Sequence, residues 1–348
     1  MMDMDTEALA RMRRDWDERA MRDALYYIYT EGKDESDFER SGRANYDQLV
    51  RPFLPVLLRG RGAKSCRVLE IGCGAGRMTR HFAAEFLEVH GVDVSERMIE
   101  LARERLRDCP NAFLHAGSGC DLRGLANASF DLAFSYIVFQ HIPTRPAIEN
   151  YVREAARVLK PGGAFKFQLN GDQSPEYRAH ERDTWLGETF SHEEACAMLA
   201  RSGFSLLAAE GAGTQYFVLT ARKGHAATEP ELRPYIFPGE AWAEKQLLEG
   251  WGDAVDDSWR PMEARSRARL AVPSSGPLRF YMGFYVWPDD RPELRVSLST
   301  GGSAVVRGSG DHYLEFAVPR PEDSAVEIGI TIEPKPLRPP ALRALGLY

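Results

Sequence analysis

The stretch VLEIGCGAGR, residues 68–77, ends an apolar run near a carboxylate, Glu70, and then places glycines at 72, 74 and 76. Glycines where a strand turns into a helix strip the loop of side chains, so a ligand can approach the backbone N–H groups at the helix start. Seventeen residues beyond Gly76, Asp93 closes the next apolar run, HGVDVS. A carboxylate at the tip of a second strand can accept both hydroxyls of a ribose. The two tips together therefore ask for a nucleoside. A dinucleotide loop, G-x-G-x-x-G, would need its third glycine at position 77, which is Arg77. Glu70 also puts a negative charge where a pyrophosphate would lie nearby. That charge disfavours an anion and favours a ligand carrying an amino group and a sulfonium.

These residues need strand tips to hold them, and the chain supplies the pattern. From Cys66 onward the short runs CRVLEIG, VHGVDV, NAFLHAG, FDLAFSYI and GGAFKFQLN alternate with the amphipathic stretches GRMTRHFAAEFLE, SERMIELARERLR and RPAIENYVREAARVL. Strands alternating with helices imply right-handed crossovers and a mainly parallel sheet. GFSLLAAEGA and GTQYFVLTARK, split by a glycine turn, read as a closing hairpin. Residues 1–62 read as a helical cap, with helices over Met12 to Tyr29 and Ala44 to Leu58, the second interrupted at Pro52 and Pro55, and a polar loop TEGKDESDFERSG between them. The α/β domain then spans 63–223, a linker with one helix around Gly239 to Glu249 spans 224–265, and 266–348 is an antiparallel β module, read as a small sandwich. There Leu294, Val296 and Leu298 alternate with Arg295, Ser297 and Ser299, and Val326, Ile328, Ile330 and Ile332 oppose Glu327 and Thr331.

Glu70 to Gly76, Asp93, FDLAFSYIVFQHIP and EAARVLKPGGAFKF, in that order and spacing, resemble the class I S-adenosylmethionine-dependent methyltransferases over about residues 64–223. The resemblance implies a Rossmann-like fold with a seven-stranded sheet of order 3-2-1-4-5-7-6, its last strand antiparallel. It implies S-adenosyl-L-methionine as cofactor and S-adenosyl-L-homocysteine as product. Glu70 then holds the methionine end, Gly72, Cys73, Gly74, Gly76 and Arg77 border it, Asp93 binds the ribose, and Val94 and Met98 flank the adenine. The family's acid after the third strand is replaced here by Ser118, in GSGCDL; Gly119 and Cys120 then supply backbone contact and packing, and Asp121 supplies a carboxylate one turn away. Ser135 and Gln140 border the cofactor from the fourth strand and its loop.

That loop, YIVFQHIP, lies beyond the carboxyl end of its strand, where open α/β sheets bind ligands. Tyr136, Gln140 and His141 are its rim. Methyl transfer is an in-line displacement on an activated sulfonium, so alignment does much of the work, and an alcohol or phenol acceptor gains from a base. His141 is the imidazole available for that role, with Tyr136 beside it; a buried histidine that only holds the loop is the alternative. The long stretch Asp172 to His192 reads as a lid or as a solvated connection. As a lid, it brings Tyr177, His180 and Trp185 to the acceptor, with Glu176 and Asp183 as further polar candidates. Trp16, Tyr26, Tyr27 and Tyr29 of the first helices close the other side or simply pack.

The bulk numbers set the frame. A net charge of -7 argues against a nucleic-acid surface. No window reaches the ~18 apolar residues of a membrane span, and the charged start MMDMDTEALARMRRDWDERA lacks a signal peptide's apolar core. Five cysteines without a close pair, together with that start, fit a cytoplasmic protein. Cys73 and Cys120 lack the histidine or cysteine spacing of a metal site, so no metal is expected. The expected function is methyl transfer to a small-molecule or sugar-containing acceptor, at oxygen first, with nitrogen or sulfur open. A cofactor-binding regulatory protein without turnover is the alternative. In the β module, Phe280, Met282, Phe284 and Val286 share one face of a strand and Tyr281, Tyr285 and Trp287 the other. Such a strand needs cover on both faces, from the first domain, from a second copy in a homo-oligomer, or from a stacked sugar.

Overall fold

The apolar runs between residues 66 and 223 form seven strands: β1 (Arg67–Ile71), β2 (Glu88–Asp93), β3 (Ala112–Ala116), β4 (Phe130–Ser135), β5 (Leu159–Leu169), β6 (Phe204–Glu210) and β7 (Phe217–Lys223). In the computed structural model they pair in the order β3-β2-β1-β4-β5-β7-β6. β1 to β5 are parallel, and β7 runs antiparallel to both β5 and β6. The expected order and the closing hairpin are both present. Chain direction across the sheet reverses between β1 and β4, which opens a crevice at their carboxyl ends. The structure describes residues 6–29, 34–175, 177, 184–224, 235–236, 241–253, 255, 259–272, 278–289 and 291–347.

Burial explains the composition of these strands. β4 is buried along its whole length and β1 everywhere but its first residue, as parallel strands covered on both faces must be. The helices that follow them are α3 (Thr79–Glu85), α4 (Glu96–Arg105), α5 (Arg145–Val158) and α6 (His192–Arg201). α5 buries Ala147, Ile148, Tyr151, Val152, Ala155 and Val158, the spacing of a single helical face. Their partners include Phe139, stacked on Tyr151 at 5.6 Å, and the strand residues Phe165 and Phe167. α4 starts on Ser95, whose side chain accepts from the Met98 N–H at 3.0 Å. α6 starts on a reciprocal pair, Ser191 with Glu194. Each cap satisfies N–H groups that a helix start leaves bare.

Two N-terminal helices precede the sheet, α1 (Thr6–Ile28) and α2 (Glu35–Leu49). α1 bends at Asp23, whose carboxylate accepts from the Tyr26 N–H and restarts the helix. The polar stretch 30–42, expected as a loop, is helical from Glu35. Its charges face solvent while Phe38, Ser41, Gly42 and Tyr46 form a buried face at helical spacing. The helix expected to start at Ala44 therefore starts nine residues earlier and ends at Leu49. Pro52 and Pro55 then sit at the starts of two short turns, Arg51–Phe53 and Leu54–Leu57, where a missing N–H costs nothing.

The chain divides into two compact units, residues 1–46 with 61–226, and residues 47–60 with 227–348. The second is a β domain: β8 (Tyr235–Ile236), β9 (Leu247–Trp251), β10 (Arg260–Ala271), β11 (Leu278–Val286), β12 (Glu293–Leu298), β13 (Ser303–Arg307), β14 (Gly310–Val318), β15 (Ala325–Glu333) and β16 (Ala341–Leu347). All its pairings are antiparallel among the described residues. β10 joins two halves: Arg260 and Pro261 pair with β16, while residues 265–271 pair with β15. The helix expected around 239–249 is a short 3-10 turn, Ala241–Lys245, followed by β9. In β9 Leu247 is buried while Leu248 and Glu249 are exposed, and the strand pairs antiparallel with β10. Residues 247–251 and 260–265, read as linker from the sequence, thus belong to the β domain. β11 is covered on both faces by this unit itself. Phe280, Met282, Phe284 and Val286 enter its core. On the other face, a Cβ on Gly283 would lie 2.8 Å from Cβ of Pro52, so segment 47–60 is the cover there.

Candidate active site

The crevice at the tips of β1, β2 and β4 is a cavity within the first unit. Glu70, Gly72, Cys73, Gly74, Arg77, Asp93, Val94, Met98, Gly119, Tyr136 and His141 all line it. Eleven residues expected from sequence are thus brought together around one space. Gly76, Ser118, Cys120, Asp121, Ser135, Gln140, Tyr177 and Trp185 do not line it, and His180, Glu176 and Asp183 lie outside the described residues.

The loop after β1 turns at Gly72 with φ +76°, and a Cβ there would meet Cγ2 of Val138 at 2.2 Å. Only glycine fits both the turn and the approach of the β4 loop. The expectation that this loop offers bare N–H groups does not hold at four positions. Gly72 and Cys73 both donate to the Val92 carbonyl, Gly76 donates to the Cys73 carbonyl, and Gly74 donates to Oδ2 of Asp93 at 2.9 Å. Three of those donors fasten the loop to β2, and Gly76 folds the loop onto itself. What remains facing the cavity is room, two carboxyl groups, Glu70 and Asp93, and the Arg77 guanidinium.

Glu70, 5% exposed, accepts from the Thr79 hydroxyl at 2.6 Å. Burial pushes its carboxyl up to about 8, against the pull of that hydrogen bond and of the Arg77 guanidinium. Arg77 is itself buried and donates through Nη1 to Ser41 Oγ and to Asn45 Oδ1, at 3.2 and 2.6 Å. Its burial lowers its proton affinity while Glu70 raises it. Both line the same cavity, where Arg77 favours the Glu70 carboxylate and burial favours its protonated form. Asp93 uses Oδ1 for the Ser95 N–H at 2.9 Å and Oδ2 for Gly74. Burial lifts it to about 6, with the Ser95 and Gly74 bonds opposing. With the Ser95, Gly74 and Val94 N–H groups bonded, one lone pair of the carboxylate is left for a ligand hydroxyl. Burial, with the Asp93 and Glu70 carboxyls beside it, also pushes the Cys73 thiol well up.

The third-strand loop caps itself. Ser118 Oγ accepts from the N–H of Cys120 and of Asp121, at 3.3 and 3.0 Å. Asp121 turns its carboxylate to the Arg123 N–H and guanidinium. Ser135 donates to the Ile71 carbonyl at 2.9 Å, tying β4 to β1 beneath the cavity. These residues build the walls.

α1 closes one side with Met12, Trp16, Tyr27 and Ile28. It is pinned by Asp17, which accepts from Ser95 Oγ at 2.6 Å, by Arg13 on the Gly117 carbonyl at 2.9 Å, and by Asp15 and Arg19 on Thr184. Trp16 meets His141 edge-on at 5.3 Å, and Trp185 packs on the same ring at 5.2 Å. The Trp185 carbonyl accepts from Nδ1 of His141 at 2.7 Å. Burial raises the Tyr136 phenol, so it stays protonated. Met12, Tyr151 and Thr79 escaped the sequence reading because each looks like ordinary helix core; Gln168 escaped it as a polar residue inside an apolar strand.

A family profile described as a methyltransferase domain matches residues 68–163. The chain carries a class I S-adenosylmethionine-dependent methyltransferase domain. It is 27% identical over 246 residues to trans-aconitate 2-methyltransferase of Methylobacterium nodulans, covering 65% of this chain and 91% of that protein. With malonyl-[acyl-carrier protein] O-methyltransferase of Enterobacter lignolyticus it shares 34% identity over 135 residues, 38% of this chain and about half (51%) of that protein's length. Among solved structures, 1,6-didemethyltoxoflavin-N1-methyltransferase of Burkholderia thailandensis aligns with a TM-score of 0.46 at 22% identity, over 65% of this chain and 92% of that one. The methyltransferase domain is an enzyme's, in the general class EC 2.1.1.-. Among the described residues, no helix is long and apolar enough to cross a membrane.

Proposed function

We propose that this chain transfers a methyl group from S-adenosylmethionine to an oxygen of a small, partly aromatic or sugar-containing acceptor. The observation that carries the reading is the polarity of the strand tips. The loop N–H groups of Gly72, Cys73, Gly74 and Gly76 are already bonded, and two carboxyl groups, the buried Glu70 and the half-buried Asp93, face the cavity. Such a lining suits a cationic nucleoside and repels a pyrophosphate. Glu70 takes the ammonium of the methionine end, Arg77 its carboxylate, and Asp93 the ribose hydroxyls, with Val94 and Met98 beside the base.

When bound, the sulfonium supplies an electrophilic methyl group; the chain supplies position. Trp16, Tyr27 and Tyr136 give the acceptor flat walls, and α1 keeps water out. His141 takes the acceptor's hydroxyl proton, a step whose value lies in acting only as the oxygen attacks. The matched proteins carry both O- and N-methyltransferase names, so the choice of oxygen rests on this histidine.

Incubating the full chain with methyl-labelled S-adenosylmethionine and a panel of phenols, glycans and carboxylic acids tests the reading. Labelled product with stoichiometric S-adenosylhomocysteine supports it. Tight cofactor binding with no transfer to any panel member would favour the regulatory alternative instead.

A further inference from the structure

His141 has a defined tautomer, and two buried glutamines set it. The chain of hydrogen bonds can be followed from backbone to backbone, which removes the usual ambiguity of amide and imidazole orientation. At one end the Ile137 N–H can only donate, and it does so to Oε1 of Gln168 at 2.8 Å. Nε2 of Gln168 must then be the amide nitrogen, and it donates to Oε1 of Gln140 at 2.8 Å and to the Gln215 carbonyl at 2.6 Å. Gln140 is thereby oriented with its NH2 toward Nε2 of His141, 3.2 Å away. At the other end the Trp185 carbonyl can only accept, so Nδ1 of His141 carries the proton. Both directions of inference meet at one answer: Nδ1–H, with a lone pair on Nε2.

We propose that Gln168 and Gln140 are positioning residues for methyl transfer, holding His141 in its Nδ1–H tautomer so that Nε2 meets the acceptor as a hydrogen-bond acceptor. This rests on the reading of His141 as the base. The acceptor's hydroxyl replaces the Gln140 amide as donor to Nε2. Its proton passes to Nε2 as its oxygen bonds to the methyl carbon, the carbon–sulfur pair stays on sulfur, and the imidazolium later yields the proton to water. Gln168 is fully buried and Gln140 is 4% exposed, so this polar chain costs desolvation that a plain loop anchor would not need. A donor aimed at the Nε2 lone pair favours the unprotonated ring over its cation.

Among the described residues, the charged and titratable neighbours of His141 make none of the hydrogen bonds of this glutamine chain. Arg19 of α1 sits over the Trp16 and Trp185 rings at 4.7 and 5.3 Å, and Asp15 binds Thr184. Glu70, Arg77, Tyr27, Tyr136 and Tyr151 share the cavity.

The test needs no acceptor. Full-length protein carrying 15N-histidine is examined by long-range 1H–15N correlation, with His141→Gln assigning the signal. The expected result is one Nδ1-protonated tautomer in the wild type. In Gln140→Met, which keeps side-chain length and removes the donor, the His141 titration midpoint rises by roughly one pH unit, the equivalent of one ordinary hydrogen bond. Gln168→Met gives a rise in the same direction and serves if the first variant fails to fold. An Nε2–H tautomer, or an even mixture, in the wild type overturns the proposal, as does an unmoved midpoint in the variants. A correct tautomer with wild-type turnover in His141→Gln would instead sink the base reading while leaving the hydrogen-bond chain intact.

Discussion

Cofactor binding at neutral pH should release a proton from Glu70. In the empty site burial holds that carboxyl at about 8, so at pH 7 roughly nine-tenths of it is protonated. An ammonium placed within about 4–6 Å favours the carboxylate by roughly 1–3 pH units. Taking about two units brings Glu70 to about 6, a coupling of ~2.7 kcal/mol, and the net release at pH 7 is about 0.8 proton. The sign follows: the empty protein binds more protons than the complex, so affinity climbs with pH between about 6 and 8, by up to tenfold per unit, and levels off above 8. Calorimetric titration of S-adenosylmethionine in two buffers of different ionisation enthalpy counts the protons directly. The cofactor's own amino group titrates near 8 as well, and Glu70→Gln separates the two: it should abolish the release and flatten the profile. Equal heats in both buffers for the wild type, or an unchanged pH slope in Glu70→Gln, would refute the assignment of Glu70 to the cationic end.

Asp93→Ala should act twice, because the side chain holds the Gly74 and Ser95 N–H groups as well as a ligand. Cofactor affinity falls by about 1–3 kcal/mol and thermal stability falls with it; loss of affinity at unchanged melting temperature would contradict the clasp role. His141→Ala should lower kcat by about 100-fold or more while leaving cofactor affinity within a factor of about two; equal rates return it to packing alone. Gly283→Ala should cost the β domain about 1–3 kcal/mol, since the new methyl meets Pro52 at 2.8 Å. A chemical melt following the tryptophans reads that loss.

The sheet was legible because its causes are local. Apolar runs ending on Glu70 and Asp93, and amphipathic stretches such as 145–158, carry their period in the letters, and the structure places the corresponding strands and helices there. α2 was not legible from residue 35, because small and charged residues hide a buried face of only Phe38, Ser41, Gly42 and Tyr46. Segment 47–60 gives no sign that it packs on a strand more than two hundred residues away; only tertiary contact decides that. At the site, residue types revealed which groups gather but not how they are used. Gly72 to Gly76 read equally well as a donor cradle, and the competition from the Val92 carbonyl depends on how β2 lies beside the loop. Gln168 is a single polar letter in GGAFKFQLN, and its meaning needs Ile137, Gln140 and Gln215 around it.

A bare strand-to-helix turn would have little reason to bury two carboxyls. With no ligand, both are held above their ordinary range, Asp93 near 6 and Glu70 near 8. At these two groups the folded chain therefore binds protons that the unfolded chain would release, and their contribution to stability falls as pH rises from about 4 to about 6 through Asp93 and on to about 8 through Glu70. A turn under selection for stability alone would replace Glu70 with an amide, which keeps an acceptor for the Thr79 hydroxyl without a buried acid. A cationic ligand reverses the balance, since it interacts with the charged forms that burial disfavours. Relative to Glu70→Gln, the melting temperature of the ligand-free protein should accordingly drop between pH 5 and 8, and saturating S-adenosylmethionine should flatten that difference more than S-adenosylhomocysteine, which has the same ammonium and ribose but no sulfonium charge. If both ligands flatten it equally, the carboxylates read the amino acid and the sugar, and the positive sulfur is held by alignment alone.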